Sequence, residues 1–566
     1  MAIGLAQINP VIGNFEYNAK IIAKYIKKAT DMNLDIIIFP EFALTGFPLG
    51  NIMERHPILA EENLKWLKGL AKITKSTPVI VGFIEPSKSK QGYNSSIAIL
   101  KNGKIEQIVK DNYSEPIEIK GQKYKIFIDD GIFDCDIKEL NSDIIVNCSA
   151  NSVTFANDIN LLQDKAREYK KTIIYVNQVG GNDNFVSEGT SRVINNNGQI
   201  IAQAKSFDED FVSVDLNKEN NIIKLTTSAV AKKEFSLDYE DELERTYNII
   251  IQGIKDYFAK CGIKRAVLGL SGGLDSTVCA VLLADALGKE NVFGISMPSK
   301  LTSDESKSDA KELANNLGIH FAEATIKPIV DTTTDCFSGL FENIENSWQD
   351  RYTKSFTPDN IQARARATYL WGVSNEFPSC IPIATSDKSE AYMGYATING
   401  DMSGGFAPIA DVTKTKLFAL ARWLNKNRPQ KNAIPESIIL KKPGAELAID
   451  PNTGKTLNAE DALMPYEFLD EIIWRIENRQ ESYNDLVNAT FIYEKKNNIS
   501  KEQKLEWLDK FYRRMSSALY KWSIMPPAVI TDEHSINKAV YSQAITSGKI
   551  NYKGSDESYI DRVLAD

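Results

Sequence analysis

The sequence is poor in histidine and cysteine and has no long run of apolar residues. Its 566 residues include three histidines and six cysteines, and no two cysteines form a CxxC pair. Structural zinc sites and disulfide frameworks need such clusters, so neither is expected to hold this fold together, and the thiols are expected to be reduced. No run of about 18 apolar residues is present, which argues against a membrane-spanning helix.

The chain also lacks an excess of positive charge. Lys and Arg number 66 against 75 Asp and Glu, for a net charge of −9. A protein with this balance is not built for general nucleic-acid binding, so any anionic ligand must be met by local basic groups. The first residues show no basic stretch followed by a long apolar core, so no secretory signal is expected and a cytoplasmic location is predicted.

Two α/β domains are predicted from the order of the elements. Residues 1–216 contain short β-branched and apolar strands interrupted by turns and amphipathic helices, which predicts a layered domain with a large sheet. Residues 217–240 are polar and aperiodic and are predicted to be a linker. In residues 241–530 strands alternate with helices, which predicts parallel pairing in a doubly wound sheet. Residues 531–566 are polar and are predicted to be an irregular tail.

The most informative motif is a glycine-rich turn between a predicted strand and a predicted helix. It reads GLSGGLDS and comprises Gly269, Leu270, Ser271, Gly272, Gly273, Leu274, Asp275 and Ser276. Glycines at such a turn let the backbone approach an oxyanion, and the helix N-terminus presents free N–H groups to it. A carboxylate would repel phosphate, so Asp275 predicts a Mg²⁺ ion bridging to phosphate oxygens. No lysine follows the glycines, so this is not the common GxxxxGK[ST] loop.

Further motifs give the turn a family context. SGGLDS is similar to the pyrophosphate loop of the N-type ATP pyrophosphatases. The segments MPSKLTS (297–303), DNIQARAR (359–366), TSDKSEAYMGY (385–395), GDMSGGFAPIADVTKTKL (400–417) and KKPGAELAID (441–450) resemble the NAD⁺ synthetases. The N-terminal domain is similar to the nitrilase-type amidase that accompanies the glutamine-dependent enzymes. The resemblance implies a nitrilase-like α-β-β-α sandwich followed by a Rossmann-like, doubly wound synthetase domain.

The resemblance implies an ATP-dependent amidation. The nicotinate carboxylate of deamido-NAD⁺ attacks ATP to give an adenylate and pyrophosphate, and ammonia then displaces AMP. The resemblance assigns residues 269–276, Thr385 and Lys414 to ATP, and Asp275 and Glu390 to Mg²⁺. Asp275, Glu390 and Lys414 are accordingly the expected catalytic residues, with Mg²⁺ as the cofactor and ATP as a co-substrate. Asn360, Arg364, Lys388 and Asp401 match positions that bind the dinucleotide.

The amidase site, by contrast, lacks the expected nucleophilic cysteine. In IIIFPEFALTGF, Glu41 stands where the family keeps its base, and Lys110 is the only candidate for its lysine. Asp129 falls where the family has its nucleophilic cysteine, and a carboxylate is a far poorer nucleophile toward an amide. Neither Cys135 nor Cys148 lies at the expected strand end. We therefore expect a silent glutaminase domain and nitrogen supplied as free ammonia.

Two departures and several alternatives accompany this interpretation. Asp387 stands where glutamine-dependent relatives usually have asparagine, and Gly444 stands where a serine or threonine hydroxyl normally meets phosphate. In the amidase domain, Asn151 and Asn157 replace a serine and the glutamine-holding lysine. The alternatives are a working glutaminase with an unconventional site, amidation of nicotinate mononucleotide, a GMP-forming amidotransferase, and a paralogue that binds nucleotide without turnover. The expected partners are small molecules (deamido-NAD⁺, ATP and ammonia or glutamine), with neither nucleic acid nor membrane, and the resemblance implies a homo-oligomer.

Overall fold

The computed structural model describes residues 1–50, 52–87, 92–135, 141–153, 158–216, 222–226, 239–344, 355–442, 444, 459–531, 535, 560–561 and 563–564. Within these residues, no helix combines the length and apolarity that crossing a membrane requires. The chain forms two compact units. Unit 1 comprises Met1–Ser236, Ala259–Cys261 and Tyr541–Asp566, and unit 2 comprises Leu237–Phe258 and Gly262–Val540.

Unit 1 contains most of the strands. Its elements are β1 (Ala2–Gln7), α1 (Phe15–Asp31), β2 (Ile36–Ile38), α2 (Ile52–Arg55), α3 (Ile58–Ile73), β3 (Val79–Pro86), β4 (Tyr93–Lys101), β5 (Lys104–Val109), β6 (Ile117–Ile119), β7 (Gln122–Ile128), α4 (Gly131–Asp134), β8 (Ile144–Ser149), α5 (Asp158–Tyr169), β9 (Thr172–Asn177), β10 (Val179–Asn182), β11 (Phe185–Glu188), β12 (Arg192–Ile194), β13 (Ile200–Gln203), β14 (Asp210–Leu216) and β15 (Ile222–Thr226).

Two sheets form the centre of unit 1. One has the order β15-β14-β1-β2-β3-β4-β5 and the other β13-β12-β9-β8-β7-β6. Side chains alternate between the two faces of a strand, so Ile3 and Leu5 of β1 join a buried cluster together with Ile126 and Val146 of the second sheet. The outer face of the first sheet packs against α1 and α3, and that of the second packs against α5. The predicted α-β-β-α sandwich is confirmed.

Two predicted segments are more ordered than their composition indicates. Within the predicted linker, Ile222–Thr226 forms β15, which pairs antiparallel with β14 and extends the first sheet. Backbone pairing at a sheet edge needs no side-chain periodicity, which explains why the pattern did not predict this strand. Near the end of the predicted tail, Ile560 and Leu564 pack into the α1/α3 core cluster. The rest of the linker up to residue 238 and most of the tail lie outside the described residues.

Unit 2 is predominantly helical around a small sheet. Its elements are α6 (Tyr239–Cys261, whose last three residues are grouped with unit 1), β16 (Arg265–Gly269), α7 (Leu274–Leu287), β17 (Val292–Ser296), α8 (Asp304–Leu317), β18 (His320–Glu323), α9 (Lys327–Ile344), α10 (Thr357–Glu376), β19 (Cys380–Pro382), α11 (Lys388–Tyr392), α12 (Lys414–Asn427), α13 (Glu436–Leu440), α14 (Ala459–Ala462), α15 (Tyr466–Arg479), α16 (Tyr483–Asn488), α17 (Ile492–Asn497) and α18 (Lys501–Trp522).

The sheet of unit 2 is parallel, with strand order β18-β17-β16-β19. The order of strands along the chain changes side at β16. From this strand the chain continues to β17 on one side of it and later places β19 on the other side. Such a switch point opens a crevice at the carboxyl ends of the strands, where ligands bind in doubly wound folds. Helix α7, which follows β16, is buried from Leu274 through Leu283 except at Asp275. The predicted doubly wound domain is confirmed.

Gly272 fixes the turn between β16 and α7. Its φ of +75° lies in the left-handed region, and a Cβ placed there would lie 2.3 Å from the carbonyl oxygen of Ser306 in α8. Backbone atoms of a packed helix cannot give way as a flexible side chain can. The turn is therefore held against α8 at a distance that only glycine permits.

We expect Gly272→Ala to destabilise unit 2 more than Gly262→Ala does. Gly262 has a φ of +71°, but a Cβ placed on it would meet no atom within 4 Å, so it matches the conformational strain without the clash. Overpacking typically costs about 1–3 kcal/mol, which is the expected difference between the two variants. Urea unfolding followed by tryptophan fluorescence measures it. Equal midpoints for both variants would contradict the close approach to Ser306.

Candidate active site

A cleft in unit 2 is lined by the whole glycine-rich turn, residues 269–276. Thr385, Glu390, Asp401 and Lys414, which the sequence predicted as site residues, line the same cleft. Ser271 and Ser276 are linked by a hydroxyl–hydroxyl hydrogen bond of 3.2 Å, and the Ser271 hydroxyl also accepts from the Gly273 N–H at 3.1 Å. The turn is thus shaped by its own hydroxyls before any ligand is bound.

The centre of the site is the ammonium group of Lys414, which is 1% exposed. Its Nζ lies 2.7 Å from Asp275 Oδ1, 2.9 Å from Asp387 Oδ2 and 3.0 Å from Glu390 Oε1. Oxygens of these three carboxylates all lie within 4.8 Å of one another. We call these four residues the lysine–carboxylate cluster.

Helix starts position the members of the cluster. Asp387 is the N-cap of α11, and its Oδ1 accepts from the Glu390 backbone N–H at 2.9 Å while Oδ2 faces Lys414. Lys414 is the first residue of α12, where its backbone N–H donates to the Ser389 hydroxyl at 2.9 Å. That hydroxyl donates in turn to Asp470 Oδ1 at 2.5 Å. Caps that satisfy free N–H groups at helix starts therefore also fix the charged side chains.

Electrostatics within the cluster are unbalanced. Burial is the largest influence on Glu390 and raises its pKa well above the usual value. Burial opposes the charge of Lys414, yet the carboxylates of Asp275, Asp387 and Glu390 raise the pKa of that lysine well above its ordinary value. Three carboxylates face one ammonium, so the site favours a further cation. Carboxylate oxygens are the ligands that Mg²⁺ prefers, so these residues fit that ion.

Three of the residues assigned to the dinucleotide lie outside the lining of this cleft. Lys388 is 2% exposed, and its Nζ lies 2.7 Å from Glu477 and 3.3 Å from Asp411. Asn360 accepts a hydrogen bond of 2.8 Å from the Thr397 hydroxyl. Arg364 is exposed and donates to the carbonyl oxygen of Ile398 at 3.2 Å. Their role in substrate binding stays a prediction.

The residues predicted for the amidase site lie in unit 1. Glu41 is 4% exposed and accepts a hydrogen bond of 2.5 Å from the Ser95 hydroxyl. Asp129 follows β7 with a φ of +52°, and its N–H donates to the carbonyl oxygen of Cys148 at 3.0 Å. Burial first, and the nearby Asp129 carboxylate second, raise the pKa of Glu41 to about 8.

The other residues considered for the amidase site are an exposed lysine and two cysteines that differ in burial. The Lys110 side chain is 62% exposed and pairs with Glu85 at 3.2 Å. Cys148 is fully buried on β8, where burial and the Glu41 charge raise its pKa. Cys135 follows α4 and is partly exposed. Asn157 lies outside the described residues.

Sequence reasoning missed several residues of the cleft. It noted Asp387 only as a departure from a motif, although its carboxylate completes the lysine–carboxylate cluster. Arg366, Lys441 and Lys442, to which it assigned no role, also line the cleft. The quoted segments DNIQARAR and KKPGAELAID contain all three, so the signal was basic residues within motifs already recognised.

Family models and relatives give the same assignment for both parts of the chain. Residues 246–511 match the family model described as NAD synthase, and residues 2–124 match the one described as carbon-nitrogen hydrolase. The glutamine-dependent NAD⁺ synthetase of Thermotoga maritima is 34% identical over 84% of this chain and 88% of its own length. That of Synechocystis is 33% identical over 86% of this chain and 90% of its own.

A solved structure extends the likeness to three dimensions. The glutamine-dependent NAD⁺ synthetase of Acinetobacter baumannii, solved with adenosine diphosphate, has a TM-score of 0.70 and 27% identity, covering 98% of this chain and 99% of its own. The relatives are NAD⁺ synthetases, which are carbon–nitrogen ligases, so the predicted enzyme class is confirmed. With the sandwich of unit 1 and the glycine turn of unit 2, these matches show that the chain belongs to the family of two-domain, glutamine-dependent NAD⁺ synthetases.

Proposed function

We propose that this chain forms NAD⁺ by amidating deamido-NAD⁺ with free ammonia at the expense of ATP. The observation that carries the proposal is the meeting, in one cleft, of the glycine-rich turn and the lysine–carboxylate cluster. The turn offers backbone N–H groups and hydroxyls to phosphate, and the cluster offers a cation and ligands for a metal. The family name of the relatives supports the dinucleotide as substrate over the mononucleotide.

Two displacements make up the reaction. The nicotinate carboxylate oxygen bonds to the α-phosphorus of ATP while the bond from that phosphorus to the bridging oxygen breaks, and pyrophosphate leaves. Ammonia then bonds to the acyl carbon, AMP departs and the nitrogen loses a proton. The donors of the turn stabilise charge on the departing pyrophosphate, as fixed dipoles do in a preorganised site.

Lys414 and its carboxylates have distinct tasks in this scheme. Asp275 and Glu390, with Asp387 beside them, would hold Mg²⁺. When bound, the ion would neutralise phosphate oxygens and polarise the α-phosphate. Lys414, already charged because of its carboxylates, supplies a fixed positive charge next to the turn.

The residues of unit 1 support ammonia as the nitrogen source. Amide hydrolysis by this family of folds needs a thiolate, and Asp129 offers a carboxylate instead. Cys148 is buried and its raised pKa keeps it protonated. Glu41, with a pKa of about 8, holds a proton at neutral pH and is then not a base.

Glutamine is the second candidate donor, and the relatives favour it. Each relative compared above carries the name glutamine-dependent NAD⁺ synthetase. Glutamine use by this chain would require an amidase site that works without a cysteine at position 129. Pairing of subunits and a cytoplasmic location remain predictions.

The nitrogen donor is decided by assaying the purified chain with ATP, Mg²⁺ and deamido-NAD⁺. We expect NAD⁺ with ammonium chloride and none above background with glutamine, because Asp129 cannot form a thioester. Iodoacetamide and Cys148→Ser are expected to leave the ammonium-dependent rate unchanged. Glutamine-dependent synthesis that alkylation abolishes would overturn the choice of ammonia and favour a working thiol site.

Loss of a carboxylate from the cluster is expected to weaken metal binding. Glu390→Gln should raise the Mg²⁺ concentration for half-maximal activity at least about tenfold. Loss of a residue that only supports a metal ligand already costs about 10–100-fold in metal affinity, so loss of a ligand should cost no less. Glu376→Gln, an exposed position at the end of α10, is the matched control. An unchanged Mg²⁺ dependence in Glu390→Gln would remove this residue from the metal site.

The raised pKa of Glu41 predicts a pH-dependent stability of unit 1. Between the ordinary pKa of 4.5 and about 8, the folded state holds a proton that the unfolded state has released, so stability falls as pH rises through this range. The slope is at most about 1.4 kcal/mol per pH unit. Glu41→Gln should therefore match the parent near pH 5 and exceed its melting temperature near pH 8.5.

Differential scanning calorimetry across pH measures this difference. Glu106→Gln, on an exposed position of β5, is the control and should follow the parent at every pH. Parallel curves for the parent and Glu41→Gln would mean that Glu41 is ionised in the folded protein throughout.

A further inference from the structure

When Asp387 is counted, the described part of the cleft has equal numbers of basic and acidic side chains, whereas the lysine–carboxylate cluster within it has an excess of carboxylates. Among the described residues, its lining carries four cations, Arg366, Lys414, Lys441 and Lys442. It also carries three carboxylates, Asp275, Glu390 and Asp401. Asp387 is not part of the lining but pairs with Lys414. ATP is a polyanion, so the question is which of these cations is available to its phosphates.

Three of the four cations are already engaged. Lys414 is shared by the carboxylates of its cluster. Arg366 donates through Nε to the carbonyl oxygen of Met297 at 3.1 Å. Lys441 donates through Nζ to the Ser306 hydroxyl. Each of these groups must give up or share a contact in order to bind phosphate.

Lys442 differs from the other three. Its side chain is exposed, and it forms no hydrogen bond or ion pair with the part of the chain that the structure describes. Its neighbour Lys441 contacts Ser306, the residue whose backbone holds Gly272 of the turn. Lys442 therefore lines the cleft directly after a residue that contacts Ser306, and its own charge is not paired with any described residue.

Gly444 lies close by in the lining of the same cleft. A glycine offers no side-chain donor at a position where a hydroxyl could reach the ligand. A lysine is a compact, flexible point charge that binds phosphate without a fixed geometry. Position 444 thus lacks a side-chain donor for phosphate, and two residues earlier Lys442 offers a cation that is not paired with any described residue.

We propose that Lys442 binds the pyrophosphate end of ATP, and that it holds this group equally before and after its release as pyrophosphate. The proposal rests on the proposed function, and it adds a binding residue that the motifs did not single out. Lys442 compensates for the absent side chain at Gly444. Because its contact is with the β- and γ-phosphates, it distinguishes ATP and pyrophosphate from AMP, which lacks them.

Kinetics of Lys442→Met test the proposal. We expect the KM for ATP to rise about five- to tenfold, the upper figure being equivalent to about 1.4 kcal/mol, with kcat changed less than about twofold. The inhibition constant for pyrophosphate should rise by a similar factor, while the inhibition constant for AMP and the KM for deamido-NAD⁺ stay unchanged. Lys442→Arg should retain near-parental values. Lys311→Met, an exposed lysine of α8 with no described contact, is the control and should be silent.

Introducing a hydroxyl donor at position 444 gives a second, independent test of the proposal. Gly444→Ser in the Lys442→Met background should recover most of the affinity for ATP if the two positions serve the same phosphates. An unchanged inhibition constant for pyrophosphate in Lys442→Met would overturn the proposal, as would a fall in kcat alone.

Calorimetric titration with Mg–ATP separates this proposal from the proposed function, because it needs no turnover. If the parent bound Mg–ATP but did not convert deamido-NAD⁺, the proposed function would fail while Lys442 could still be judged. Equal affinities of the parent and Lys442→Met for Mg–ATP would overturn the role of Lys442 whatever the reaction proves to be.

Discussion

The ammonium group of Lys414, shared by three buried or half-buried carboxylates, is the contact around which unit 2 builds its cleft. Removing charges from water costs several kcal/mol for each ion, and only close pairing offsets that cost. The pairing brings together segments that are far apart in sequence: the turn after β16, the start of α11 and the start of α12. The residual negative charge makes the site a receptor for a further cation.

The sequence predicted the parts of this site that follow from a local motif. The strand–turn–helix context of residues 269–276 was recognisable because glycines and hydroxyls at a helix start have few structural alternatives. The contact of Gly272 with Ser306 was not predictable, since it depends on where α8 packs. Asp387 was noted as an unusual residue, but its ion pair with Lys414 was not predicted because the two residues are distant in sequence.

The same limit applies to Lys388, whose assignment to the substrate stays a prediction. It follows Asp387 directly, yet the structure places its side chain with Glu477 in a buried ion pair. Neighbouring residues on a helix point in different directions, so membership of a motif does not mean membership of a cleft. The fold was easier to predict, because apolar periodicity reports strands and helices over many residues.

The core of unit 1 is packed independently of the side chain at position 129. Its interior is filled largely by isoleucine and valine from two sheets, and those residues serve packing regardless of what stands at the end of β7. Asp129 follows β7 with a left-handed backbone conformation, and its side chain is a carboxylate. Scaffold and site are thus under separate physical constraints.

The short helix α11 links the cleft to the outer helices of unit 2. Asp387 at its start faces Lys414, while Lys388 one residue later is fastened to Glu477 on α15. At its other end, the carbonyl oxygen of Ala391 accepts a hydrogen bond of 3.0 Å from Trp522 of α18. Both ends of this five-residue helix are thus held by contacts with other helices. Loss of the buried Glu477 carboxylate would therefore release one contact of the helix whose start carries Asp387 and Glu390 of the cluster.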